Sequence, residues 1–163
     1  MKNKKGSLPL ELFAIIIVLF GFGIIAFMSK DILDDLNTDI QADPDLSNQT
    51  KSTTQSLTTR LPSVFDGAFI LIFILLWIAV LVLGYQIDIM PVYFVLAIIL
   101  LIIAVGVAMA INNAYTEFIG DSEFTLMPTY FPMTNFILDN LAVVIAVIGT
   151  SLMIVLYGKM RAY

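Results

Sequence analysis

The sequence predicts an all-α integral membrane protein: a bundle of four transmembrane helices, the first of which continues outside the membrane as an amphipathic segment. Hydrophobic residues make up 60% of the 163 and charged residues 13%, against about 25% charged in an ordinary soluble domain. Mean hydropathy is +0.97. Four uninterrupted apolar runs, at 12–28, 68–85, 91–111 and 137–157, each approach the roughly 20 residues a helix needs to cross a bilayer. None alternates with period two, and backbone groups in lipid must be satisfied within a segment or around a closed barrel, so the runs select helices. The chain reads as one membrane domain over 1–163, with outer loops at 29–64 and 112–136.

The first run follows Lys2, Lys4 and Lys5. Its periodicity outlasts its apolarity: in "SKDILDDLNTDIQADPD", Ile32, Leu36 and Ile40 recur every four residues, with Asp31, Asp34, Asp35 and Asp39 on the other faces. That pattern predicts a helical continuation, halted at Pro44 because the residue before proline avoids the α region. The next stretch, "LSNQTKSTTQSLTTRLP", is rich in Ser, Thr and Gln and reads as a solvated loop or a weak helix. It contains Asn48-Gln49-Thr50, which matches a glycosylation sequon.

Runs two and three are separated by "QIDIMP", short enough to predict a tight helical hairpin. The loop before run four, "NNAYTEFIGDSEFTLMPTYFPMTNF", holds Tyr115, Phe118, Phe124, Tyr130, Phe131 and Phe136 without a basic residue. Such aromatic density reads either as a cap at the membrane interface or as a partner-binding surface. Gly120 is expected to end the third helix, and Pro128 and Pro132 to keep "MPTYFP" extended. Tyr85, Tyr93, Tyr115 and Tyr157 lie near run ends, where an apolar ring with a polar tip is well solvated.

Orientation follows from basic residues near the run ends. Lys2, Lys4, Lys5, Lys159 and Arg161 lie in two short tails, whereas the longer loops hold Lys30, Lys51 and Arg60. Both termini are expected on the cytoplasmic or interior side of a cell or virion membrane.

Chemistry is sparse. The chain has no cysteine and no histidine, which removes thiol nucleophiles and the commonest general base and metal ligand. A net charge of −5 with eight Lys and Arg excludes a basic nucleic-acid surface. The interiors of the four runs carry no Lys, Arg, Asp, Glu, Asn or Gln, the groups that mark a solute or proton path near the midplane. Glu11, Asp66 and Asp139 are expected in the first turns of helices, where an acid faces the positive end of the helix dipole, and Asp88 in the turn between runs two and three. "GFGIIA" at 21–26 satisfies a nucleotide fingerprint only in letters, because that fingerprint requires a strand turning into a helix. No catalytic residue, metal ligand or cofactor is expected, and no small-molecule substrate.

Small residues at a spacing of four, Ala142, Ala146 and Thr150 on run four and Gly106 with Ala110 on run three, predict close helix packing, the main drive for association in lipid. The partner of these stripes is either another run of the same chain or a neighbouring copy. The expected partners are the lipid bilayer and either further copies or other membrane proteins.

The N-terminal stretch "KKGSLPLELFAIII" resembles the start of type IV prepilins and archaeal class III signal peptides: a short basic leader ending in glycine, then a glutamate, then an apolar helix. The resemblance implies cleavage between Gly6 and Ser7, with Glu11 as the glutamate five residues after the cut. Lysines flanking a helix whose first turn carries an acid account for the same residues without processing. The layout as a whole looks like small polytopic membrane proteins of prokaryotic viruses, or of pilus and secretion machines. These features point to a non-enzymatic structural component of a membrane assembly, or alternatively to an oligomeric, holin-like pore gated by apolar constriction.

Overall fold

The structure, a computed structural model, describes residues 8–86 and 91–161, with side chains described over 11–86 and 94–159. Among these residues every regular element is helical: α1 (Leu8–Ala42), α2 (Asn48–Gln86), α3 (Pro91–Ile119), α4 (Met127–Tyr130), α5 (Pro132–Asp139) and α6 (Leu141–Arg161). The four long helices each contain a stretch long and apolar enough to cross a membrane, which establishes the expected fold class.

α1 runs unbroken for 35 residues from the apolar stretch into the acidic one. The segment 43–47 then reverses the chain: the Asp45 amide donates to Asp43 Oδ1 at 2.9 Å, and Pro44 bars helix continuation. Ser47 starts α2, its hydroxyl accepting the Thr50 amide at 3.2 Å, as an N-cap serine does for the third residue of a helix. The polar stretch expected as a loop or weak helix is thus the first half of a 39-residue helix. The outer loop expected at 29–64 is correspondingly replaced by a helical hairpin formed by the extensions of α1 and α2. At its tip Gln41 and Lys51 exchange bonds: Gln41 Nε2 donates to the Lys51 carbonyl at 2.9 Å, and Lys51 Nζ to the Gln41 carbonyl at 3.0 Å. Pro62 lies inside α2 and leaves the Thr58 carbonyl without its intrahelical N–H.

In the bundle α1 packs most extensively on α2, and α3 on α6; α2 also packs on α6, and α1 on α3. The long helices therefore close a ring in the order α1–α2–α6–α3. α2 and α3 follow each other in the chain yet occupy opposite corners, which corrects the expected hairpin of runs two and three. The reason is steric. α6 inserts between them, with the α2 backbone at Gly84 against Leu152 and the α6 backbone at Gly149 against Leu101 of α3.

The core is continuous along the ring. Leu12, Ile15, Ile16 and Leu19 of α1 and Ile145, Ile148, Leu152 and Leu156 of α6 belong to it, all nearly inaccessible to solvent. α3 contributes small residues, Ala97, Ala104 and Ala108, which let its backbone approach closely. The outward faces of α2 and α3 are apolar, with Ile74, Ile78, Val82, Ile99, Ile103 and Val107 exposed, as lipid contact requires.

Candidate functional site

A group of polar and aromatic side chains that make tertiary contacts gathers at the hairpin end of the bundle, around the short helix α5. Both short helices carry proline in the first turn, where its fixed φ suits the helix and its missing N–H is not needed. "MPTYFP" is accordingly two helix starts and not the extended segment expected. Phe131, at the N-cap position of α5, offers no side-chain cap. Asp66 of α2 supplies one from another helix: Oδ1 accepts the Thr134 amide at 2.7 Å and the Thr134 hydroxyl at 2.8 Å, and Oδ2 accepts the Met133 amide at 3.1 Å.

α5 is held from two further sides. On α3, the Tyr115 hydroxyl donates to Asn135 Oδ1 at 2.7 Å. On α1, Gly23 lets Leu138 and Thr134 approach, and a Cβ there would fall 2.5 Å from Leu138 Cδ1. Phe27 of α1 meets the rings of Phe131, Tyr115 and Phe118, with centroids 5.1, 6.1 and 6.4 Å away, and Phe118 stacks on Phe124 at 4.3 Å. This aromatic cluster and α5 fill the hairpin end of the ring. Phe136 and Tyr130 remain exposed.

Beside the plug, the extensions of α1 and α2 enclose an open cavity of about 370 Å³. α1 contributes Lys30, Asp34 and Asn37 to its wall, and α2 contributes Gln55, Thr58 and Thr59. Tyr130 of α4 forms the floor with Lys30, whose ammonium lies 4.2 Å from the ring centroid. Lys30 is 4% exposed and pairs with Asp34 Oδ2, which lies one helical turn further from the bundle.

Within the apolar section, among the described residues, one polar tie crosses between helices. The Trp77 indole N–H donates to Ser151 Oγ at 3.1 Å, and Ser151 in turn donates to the Ile148 carbonyl at 2.7 Å. At the opposite end of the bundle, Lys159 donates to the Tyr85 carbonyl at 2.9 Å.

The residues singled out from sequence fall in several places. Gly6, Ser7 and Asp88 lie outside the described residues. Glu11 is in the first turn of α1 as expected. Asp66 is not in a first turn of its own helix, because α2 begins 18 residues earlier at Asn48; it caps α5 instead. Asp139 closes α5 and precedes the break at Asn140 before α6. Tyr115 is buried in the aromatic cluster and is not an exposed ring of an interfacial belt. Asn48 is exposed at the first residue of α2.

Of the small residues, Gly106 and Ala110 face outward, with nothing within 4 Å of a Cβ at Gly106. Ala142 and Ala146 are half-buried and Thr150 is exposed. Inside the ring, Gly23, Gly84 and Gly149 lie where an added Cβ would clash with a leucine of another helix. The spacing signal missed these because each faces a leucine on a different helix and none repeats along its own.

Comparison with protein-family models, with curated proteins and with solved structures finds no match to the chain. Its class is defined by its own geometry: a polytopic helical membrane protein of four apolar helices, with a short helix pinned into one end of the ring.

Proposed function

We propose that this protein is a non-enzymatic structural unit that packs with further copies or other membrane proteins into a larger membrane-embedded assembly, of the kind found in virion membranes or in pilus and secretion machines. The observation that carries this reading is where the polar side chains are spent. Asp66, Tyr115 and Trp77 each hold one helix to another, and the core between them is packed with aliphatic and aromatic groups. What such a molecule offers a partner is shape and outward contact, through van der Waals packing in lipid.

In the same reading both termini lie on the cytoplasmic or interior side, because the tails hold most of the basic residues, and the hairpin of α1 and α2 projects on the other side. The test is copy number. Native mass spectrometry of protein released from nanodiscs should show discrete multiples of the 18.0 kDa chain or a stoichiometric co-purifying membrane protein. A monodisperse monomer without a partner at every protein-to-lipid ratio would refute the assembly reading.

A further inference from the structure

The geometry points to a lipid headgroup site in the cavity between the hairpin extensions, selective for a zwitterionic phosphate–ammonium headgroup, and specifically for phosphoethanolamine. This inference rests on the membrane placement of the helices and not on the assembly, so the two stand or fall separately.

Depth comes first. Lys30 is the first charged residue after the apolar run of α1. At 1.5 Å per residue it lies about 27 Å along the helix from Leu12, close to the roughly 30 Å thickness of a hydrocarbon core. The cavity floor therefore sits where lipid phosphates sit, and Asp34 stands about 6 Å further out. From the membrane outward the protein presents a cation and then an anion. A phosphoethanolamine headgroup presents the complement in the same order, its phosphate nearest the acyl chains and its ammonium beyond.

Unused valence comes second. Lys30 carries three N–H donors and is more than nine-tenths buried, yet its one hydrogen-bond acceptor among the described residues is Asp34. Its Nζ lies over the Tyr130 ring, and Lys30 lines the cavity. An incompletely partnered ammonium at such burial is costly, and a phosphate oxygen on Lys30 Nζ relieves that cost without breaking the existing pair. Asp34, half-exposed, keeps Oδ1 for an incoming ammonium, since the pair uses Oδ2. The result is an alternating row of four charges.

Charge then selects among headgroups. Asp31, Asp34, Asp35 and Asp39 crowd this part of α1, so a headgroup of net negative charge is repelled. A quaternary choline has no N–H to give Asp34, and the face of Tyr130 that would attract it by cation–π contact is already taken by Lys30. A primary ammonium satisfies both constraints. Higher on the walls, Asn37 and Gln55 carry amide oxygens that can accept further N–H bonds from the headgroup ammonium.

The test uses the full chain in nanodiscs of phosphatidylethanolamine, phosphatidylcholine and phosphatidylglycerol in equal parts, with retained lipids counted by native mass spectrometry. Phosphatidylethanolamine should be enriched about fivefold over phosphatidylglycerol. Lys30→Met and Asp34→Asn should each return the ratio to that of the bulk. Thr59→Leu, which fills the cavity from α2 and leaves the ion pair intact, should do the same while retaining the helical circular dichroism of the wild type. It keeps the test valid if Lys30→Met does not fold. Millimolar soluble phosphoethanolamine should leave the enrichment in place; displacement by it would assign the site to a soluble ligand and overturn the lipid inference. A bulk lipid ratio on the wild-type protein, or equal enrichment in all three variants, would overturn it as well.

Discussion

Asp66 satisfies three donors on a helix to which it does not belong, and it does so buried at the hairpin end of the ring. A hydrogen bond to a charged group is worth about 1.5–3 kcal/mol, and the three here share one carboxylate. Asp66→Ala is therefore expected to lower unfolding stability by about 3 kcal/mol and to loosen α5. Asp66→Asn should cost less, because its single oxygen still accepts. Thermal unfolding in detergent, followed by circular dichroism, orders the variants; equal midpoints for wild type and alanine would remove Asp66 from the role assigned to it. Sequence alone reads this residue as facing a helix dipole, and does not give its target. A helix dipole can be read from neighbours in the chain, whereas a cap donated across 67 residues, from Asp66 to Met133, appears only when the helices are packed. Lys30 shows the same limit. Its charge counts toward orientation, but its contact with the Tyr130 ring, 100 positions away in the chain, appears only when α4 is brought beside it.

At the scale of elements, the four apolar helices were legible because the hydropathy of a membrane span depends on composition and length, both local properties. Their ends were less so. The first half of α2 is rich in Ser and Thr, residues that compete with the backbone for hydrogen bonds, and in Gln, and it reads as a solvated loop or a weak helix. In the folded chain those hydroxyls bond back to carbonyls one turn earlier, Thr53 to Gln49, Thr54 to Thr50 and Thr59 to Gln55, and the α1 extension supplies a helix to pack against. Ser47 was the available signal, an N-cap residue after a proline-containing turn. Helix adjacency was illegible for a different reason: a short connection suggests neighbours, but α6 fits between α2 and α3 because Gly84 and Gly149 remove the side chains that would keep it out. Gly149→Ala should accordingly push Leu101 off its site and destabilise the α3–α6 contact by about 1–3 kcal/mol. Gly106→Ala, with open space at its Cβ, should be neutral or slightly stabilising through helix propensity. Equal effects in detergent unfolding would contradict the ring order α1–α2–α6–α3.

The whole molecule is a ring of helices closed at one end by α5 and an aromatic cluster, apolar around its outer wall and acidic on its projecting hairpin. Its topology in the membrane is accessible to a clean experiment because the chain has no cysteine. Ser47→Cys at the hairpin tip should react with an impermeant maleimide on intact cells, and Gly158→Cys near the tail only after permeabilisation; the opposite pattern would reverse the orientation drawn from the basic tails. The proposed structural role makes a further demand, namely that the apolar wall meet protein as well as lipid. Photo-crosslinking residues placed at exposed positions of that wall, Ile78 on α2 and Ile103 on α3, test this in the native membrane before any extraction. The account predicts a crosslinked species at the mass of two chains, or of one chain plus a defined membrane protein, from at least one of these positions. Lipid adducts alone at every position around α2 and α3 would contradict it.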